Sequence, residues 1–165
     1  MPKIGLLSDS HGRAGTTRRA VSTLLVQGAE ILIHLGDIGS MEVLDALLVE
    51  APGQAARGQT LPAHLVFGNV DWDHASMTRY ARHLGLHVDH PVGELVLDGK
   101  RLRFMHGDDP LAMSKALADQ VDYLCHGHSH RMRDETQGST RIINPVHFSG
   151  LQPTAWRCST AAVGS

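Results

Sequence analysis

Three short apolar runs constrain the fold of this chain most: Lys3-Ile4-Gly5-Leu6-Leu7, Ile31-Leu32-Ile33-His34-Leu35 and Ala63-His64-Leu65-Val66-Phe67. Each has the length of a buried strand. Between the first two lies a segment from Ala14 to Gln27 with Val21, Leu24 and Leu25 at helical spacing and Gly28 as its stop. Met41 to Val49 likewise has the apolar density of a helix leaning on a sheet. Alternation of this kind predicts an α/β domain of largely parallel strands joined by helical crossovers, with sites in the loops after the strands.

Pro52 to Thr60, rich in Gly, Ala and Gln, reads as a loop within the domain, and Asp73 to His83 as a helix of weak amphipathicity. Asp98-Gly99, between Leu95-Val96-Leu97 and Lys100 to Phe104, is a hairpin signal and predicts antiparallel pairing there. Leu111 to Gln120 returns to a helical pattern, Val121 to Cys125 to a strand, and Arg141-Ile142-Ile143 to another. With 165 residues, 42% of them hydrophobic, the chain is expected to form one domain over residues 1–165.

Fifteen Lys and Arg against seventeen Asp and Glu give a formal charge of -2, which provides no field for nucleic acid or an anionic membrane. Aromatic residues, at 4%, are too few for a stacking platform. Cys125 lies in the apolar run Tyr123-Leu124-Cys125 and reads as a buried thiol, which with Cys158 as the only other cysteine suits a reducing cytoplasm. Neither a signal peptide nor an apolar stretch of about 18 residues is evident, so a soluble cytoplasmic protein is expected. The unusual number is twelve histidines, which asks for metal chemistry.

Five polar clusters follow predicted strands: Asp9-Ser10-His11-Gly12, Gly36-Asp37, Gly68-Asn69-Val70-Asp71, His106-Gly107-Asp108 and Gly127-His128-Ser129-His130. Each sets a possible ligand beside a glycine, whose missing Cβ allows sharp turns and close approach. Imidazoles mixed with carboxylate and amide oxygens suit borderline divalent metals. Singly, Asp9 and Asp37 would also serve as helix caps and Asn69 as a turn residue; five clusters in order, each after a strand, outweigh those local readings.

In these residues the chain resembles the calcineurin-like metallophosphoesterase superfamily, and most of all its small single-domain bacterial and archaeal phosphodiesterase branch, from the first strand to about Pro145. The resemblance implies an α/β fold, a four-layer α/β/β/α sandwich of two mixed sheets. It implies two divalent ions, manganese first, with iron, nickel, zinc or magnesium as alternatives. Asp9, His11 and His130 would hold one ion and Asn69, His106 and His128 the other, with Asp37 bridging; the residues nearest the chemistry would be Asp37, Asn69, His106 and His128. The implied reaction is hydrolysis of a small phosphodiester by in-line attack of a hydroxide shared by the ions. The alternative is a non-catalytic scaffold of the same fold that binds other proteins.

Two departures from the resemblance stand out. Val70 follows Asn69 where many relatives place a proton-donating His, and Asn144-Pro145-Val146-His147 stands where the branch has Asn-Pro-Gly-Ser. His147 is a candidate replacement donor. Asp71, Asp108 and His126 are expected to support the ligands or to be ordinary turn and packing residues, His34 to be satisfied in the core, and His64, His74, His83, His87 and His90 to carry no chemistry. Oligomeric state is left open.

Overall fold

A computed structural model describes residues 2–50 and 60–145 together with the backbone of residues 155–157. The described residues form two five-stranded sheets. The first runs β10 (Ala155–Arg157), β1 (Lys3–Leu7), β2 (Ile31–Leu35), β3 (Ala63–Val66), β4 (His87–Val88). Strands β1 to β4 are parallel and β10 joins β1 antiparallel. The second sheet runs β5 (Val92–Leu97), β6 (Lys100–Met105), β7 (Tyr123–Cys125), β9 (Thr140–Asn144), β8 (Arg133–Gln137). Its three middle strands are parallel and its two edges are antiparallel hairpins.

The period of two along each strand builds the layers. Ile4, Leu6, Ile33, Leu35 and Val66 point to the second sheet and meet Leu102, Phe104, Tyr123, Cys125 and Ile143. Leu7, Leu32, Ala63 and Leu65 point the other way, onto α1 (Ala14–Val26), α2 (Met41–Asp45) and α3 (His74–His83) through Val21, Leu24, Val43, Leu44, Met77 and Ala81. On the far side of the second sheet, Met105 and Leu124 pack on Ala116 of α4 (Pro110–Ala118). The order is therefore α/β/β/α, as expected. Each large side chain buried between layers contributes about 1.5–3 kcal/mol, so the three cores hold the sheets' edges in fixed relation.

Local chemistry sets the helix ends. Asp73 accepts from the Ser76 N–H at 3.0 Å to cap α3, and Asp109 accepts from Leu111 and Ala112 at 2.8 and 3.2 Å ahead of Pro110 to cap α4. The helix expected over Met41 to Val49 stops at Asp45. Leu47 and Leu48 bond to carbonyls three residues back, a tightened turn, and the Val49 carbonyl is taken by the Leu61 N–H at 2.9 Å as the chain turns away. The apolar density that suggested more helix is burial of Ala46 and Leu47 in that turn. Strands β4, β8 and β10 were not expected. All three are edge strands, and the polar Arg133-Asp134-Glu135-Thr136-Gln137 of β8 pairs with β9 through its backbone. Cys125 is buried, as expected. The loop expected at Pro52 to Thr60 falls, up to residue 59, outside the described residues, as do Val146, His147 and Cys158.

Candidate metal centre

The parallel strands of both sheets deliver their C-terminal ends to one edge, and the five clusters sit there: Asp9 after β1, Asp37 after β2, Asn69 after β3, His106 after β6, His128 and His130 after β7. Backbone hydrogen bonds tie neighbouring loops together. Asp9 N–H donates to the Gly36 carbonyl at 3.0 Å, His11 N–H to Asp37 at 2.9 Å, and Gly127 N–H to His106 at 2.8 Å. Asp9, His11, Asp37, His128 and His130 all have φ between 46° and 62°. The left-handed region costs a residue with a Cβ roughly 1–2 kcal/mol, and it persists only where surrounding structure imposes it. The left-handed residues turn three of the five loops sharply at the sheet edge. Close approach requires glycine at Gly68 and Gly127: a Cβ at Gly68 would collide with Asp37 Oδ1, and one at Gly127 with Ser8 Oγ and Asp9.

The seven residues are brought together. One donor atom each from Asp9, His11 and His130 lie within 4.8 Å of one another, and so do donors from Asp9, Asp37 and His106. Asp37 stands between two sets of rings: its Oδ2 is 3.7 Å from His11 Nε2 and its Oδ1 is 3.4 Å from His106 Nε2. His130 Nε2 lies 3.7 Å from Asp9 Oδ1. On the other side, Asn69 Oδ1 is 3.1 Å from both His106 Nε2 and His128 Nδ1.

Two observations test whether this set suits metal ions. Asp9 is 3% exposed, and neither of its carboxylate oxygens has a hydrogen-bond partner among the described residues. A buried carboxylate in that state carries a desolvation cost of several kcal/mol that a nearby positive charge offsets. Second, the His106 Nδ1–H donates to the Leu35 carbonyl at 2.8 Å, so in the neutral ring Nε2 presents a lone pair. That lone pair faces the oxygens of Asn69 and Asp37. Electron-rich atoms converging without a hydrogen between them are a cation's ligands, and the donor set fits divalent metal.

The surrounding residues hold the set in place. The Asp71 carboxylate is buried and accepts the N–H groups of Ile38, Gly39 and Gly68 at 3.1, 2.8 and 2.8 Å, clamping the Asp37 and Asn69 loops to each other. Val70 N–H donates to Asp37 Oδ1 at 3.1 Å. The Asn144 amide donates to the Gly127 carbonyl at 2.9 Å and to Ser129 Oγ at 3.0 Å, which fixes the double-histidine loop. His34 is fully buried beneath the site: its Nε2 bonds Ser10 Oγ at 2.8 Å and its Nδ1 accepts from Gly36 N–H at 3.3 Å. Burial pushes its pKa down to about 4 against the pull of Asp71 and Asp9, so the ring is neutral at neutral pH. His126 does not orient a ligand ring. Its Nδ1 bonds the carbonyl of the next residue, Gly127, at 3.0 Å.

Two of the histidines expected to carry no chemistry border the site. His74 and His90, with Asp108, line a cavity of about 420 Å³ whose wall also includes Asn69 and His106. Hydrophobic periodicity has no signal for them, because α3 and the segment after β4 are brought to the cavity by the fold. His64 and His87 remain packing residues, stacked at 4.7 Å, with His64 bonded to Asp89 at 2.8 Å.

Comparison with known proteins agrees with the geometry. Residues 2–158 match the model of the calcineurin-like phosphoesterase superfamily domain. The chain is 22% identical over 154 residues to phosphodiesterase MJ0936 of Methanocaldococcus jannaschii, covering 90% of this chain and 85% of that protein. It is 29% identical over 153 residues to phosphodiesterase YfcE of Escherichia coli, covering 90% and 80%. In fold it is similar to a solved archaeal phosphodiesterase, with a TM-score of 0.73 at 20% identity over 87% of this chain and 83% of that one. Matched from its second residue to its last few, and carrying a nitrogen and oxygen donor cluster on the edge of a two-sheet sandwich, this chain belongs to the calcineurin-like phosphoesterase superfamily, whose chemistry is metal-dependent phosphoester hydrolysis.

Proposed function

We propose that this protein hydrolyses a small organic phosphodiester at a centre of two divalent ions, held by Asp9, His11 and His130 on one side and by Asn69, His106 and His128 on the other, with Asp37 shared. The observation that carries this reading is the placement of Asp37, whose two carboxylate oxygens each face a different group of imidazoles. When bound, such ions acidify a water for in-line attack and neutralise charge on the phosphoryl oxygens. The chain's own part is placement. Leu35 holds His106 in the tautomer that turns its lone pair inward, Asp71 fixes the spacing of two ligand loops, and Asn144 fixes a third. Convergence of all seven donors favours this reading over the non-catalytic scaffold.

Val70 contributes a backbone N–H to Asp37 and no side-chain proton, so we read the enzyme as suited to ester groups that depart without strong acid help. Manganese is the first choice of metal, with iron, nickel, zinc or magnesium as alternatives. Residues 1–165 are taken as one domain, in keeping with the family match over 2–158. No helix among the described residues is long and apolar enough to cross a membrane. The test is to strip the protein of metal and assay bis(p-nitrophenyl) phosphate and p-nitrophenyl phosphate with Mn, Ni, Zn or Mg restored in turn, beside Asp37→Asn and His128→Ala. Metal should restore diester cleavage, and Asp37→Asn should lower it by about 10³-fold or more, the scale of losing a principal electrostatic contact. Equal rates with and without metal would end the proposal.

A further inference from the structure

The cavity beside Asn69 and His106 has an unusual wall. Phe67 and His74 stack at 4.6 Å, His74 and His90 meet edge to face at 4.5 Å, and Phe67 and His90 lie 5.3 Å apart, so the exposed rings of His74 and His90 pack on the buried ring of Phe67. Trp72, 90% exposed, adds an indole to the lining. Asp108 is exposed, lines the same space, and has no hydrogen bond or salt bridge among the described residues. Asp71 adds negative charge from the floor, though its oxygens are already occupied by backbone N–H groups. Among the described residues no Lys or Arg lines the cavity.

We propose that this cavity receives one ester group of the substrate and selects an alkylammonium group over a neutral or anionic one of the same shape. The inference rests on the phosphodiesterase reading above and names the substrate class of that site. An anionic group here would meet two carboxylates with no Lys or Arg opposite. A neutral one would gain only apolar contact. An alkylammonium group gains the exposed Trp72 indole through cation–π attraction and the Asp108 carboxylate through Coulomb attraction. About 420 Å³ is room for a group of choline size, and the shared wall at Asn69 and His106 sets it beside the proposed phosphate position.

The experiment compares the p-nitrophenyl diester of phosphocholine with its carbon isostere, the p-nitrophenyl 3,3-dimethylbutyl diester, on metal-loaded protein; the two differ by one positive charge. The choline ester should have about ten-fold higher kcat/KM. Asp108→Asn and Trp72→Ala, both at exposed positions, should each narrow that ratio several-fold. In metal-free protein, choline should change Trp72 fluorescence saturably, with 3,3-dimethylbutanol binding about ten-fold more weakly and Trp72→Phe abolishing the signal. A ratio of one or less, or a ratio that neither variant alters, overturns the inference while cleavage of bis(p-nitrophenyl) phosphate leaves the parent reading intact. Failure of every metal to support that cleavage overturns the parent reading and this one with it.

Discussion

Strands β6 and β7 carry charged loops at both ends, and the two ends are balanced in opposite ways. Toward their N-terminal ends three carboxylates meet permanent cations: Glu94 is 2.7 Å from Arg103 and 3.1 Å from Arg101, Asp119 is 2.6 Å from Arg103 and 3.1 Å from Lys115, and Asp122 is 2.7 Å from Lys100. Hydrogen bonds from these bases hold all three acids below the usual carboxylate range. At the opposite edge, where the C-terminal ends of β6 and β7 meet those of β1 and β2, Asp9 and Asp37 are buried among imidazoles, and no Lys or Arg forms a salt bridge with either among the described residues. One end is electrically complete and partly open to water. The other holds two buried carboxylates with no Lys or Arg paired to them among the described residues, which is the physical condition for recruiting a cation.

The largest expected effect separates the two ends by pH. His34 lies under the metal-binding end with its pKa lowered from 6.5 to about 4, so the unfolded chain binds this proton before the folded one does. In metal-free protein, stability from this group is full above pH 6.5 and falls on the order of 3 kcal/mol as pH drops toward 4. Glu94, Asp119 and Asp122 act in a lower window, their stabilisation being present above the ordinary carboxylate range and lost as pH falls through their lowered values. Urea midpoints measured with a chelator from pH 7 to pH 4 should show the decline, and His34→Gln should flatten it. An unflattened slope would show that another group carries the titration.

The next effect is metal dependence, confined to the metal-binding end. Manganese at a hundred-fold excess over its Kd should raise the melting midpoint by roughly 5–10 °C. Asp9→Asn should remove that rise, yet in chelator it should melt at or above the unaltered protein, because a buried charge without a hydrogen-bond partner has gone. A metal-free Asp9→Asn that melts well below would mean the carboxylate is satisfied without a cation. The smallest effect tests the completed end. Arg103→Ala should lower the midpoint by about 2–4 °C equally with and without metal, since its partners are other side chains. A metal-sensitive loss there would break the distinction between the ends.

Much of the fold was legible because its signals are local. The runs at Lys3–Leu7, Ile31–Leu35 and Ala63–Val66 are apolar on both faces, and the Asp98-Gly99 turn joins β5 to β6 as expected. What escaped were β4, β8 and β10, short edge strands that need only backbone pairing from a neighbour and so carry no pattern of their own. The over-long helix at Met41 failed for a related reason, since burial of Ala46 and Leu47 is the same whether the backbone coils or turns.

At the site, the seven donor types and their glycine neighbours stood in the sequence, because strand-ending loops in a parallel sheet share an edge. That Asp71 clamps two of those loops was only one of two readings open to it, and that His74 and His90 reach the cavity wall was not readable at all. The amino-acid order by itself determined which segments form strands and which residue types follow them, since both depend on contacts within a few residues. Only the tertiary structure decided that Asp37 faces rings from two different sheets, that the Asp9 carboxylate has no hydrogen-bond partner among the described residues, and that an aromatic wall stands beside Asn69. Those relations join residues that lie tens of positions apart, and they exist only once three separate cores have locked the sheets together.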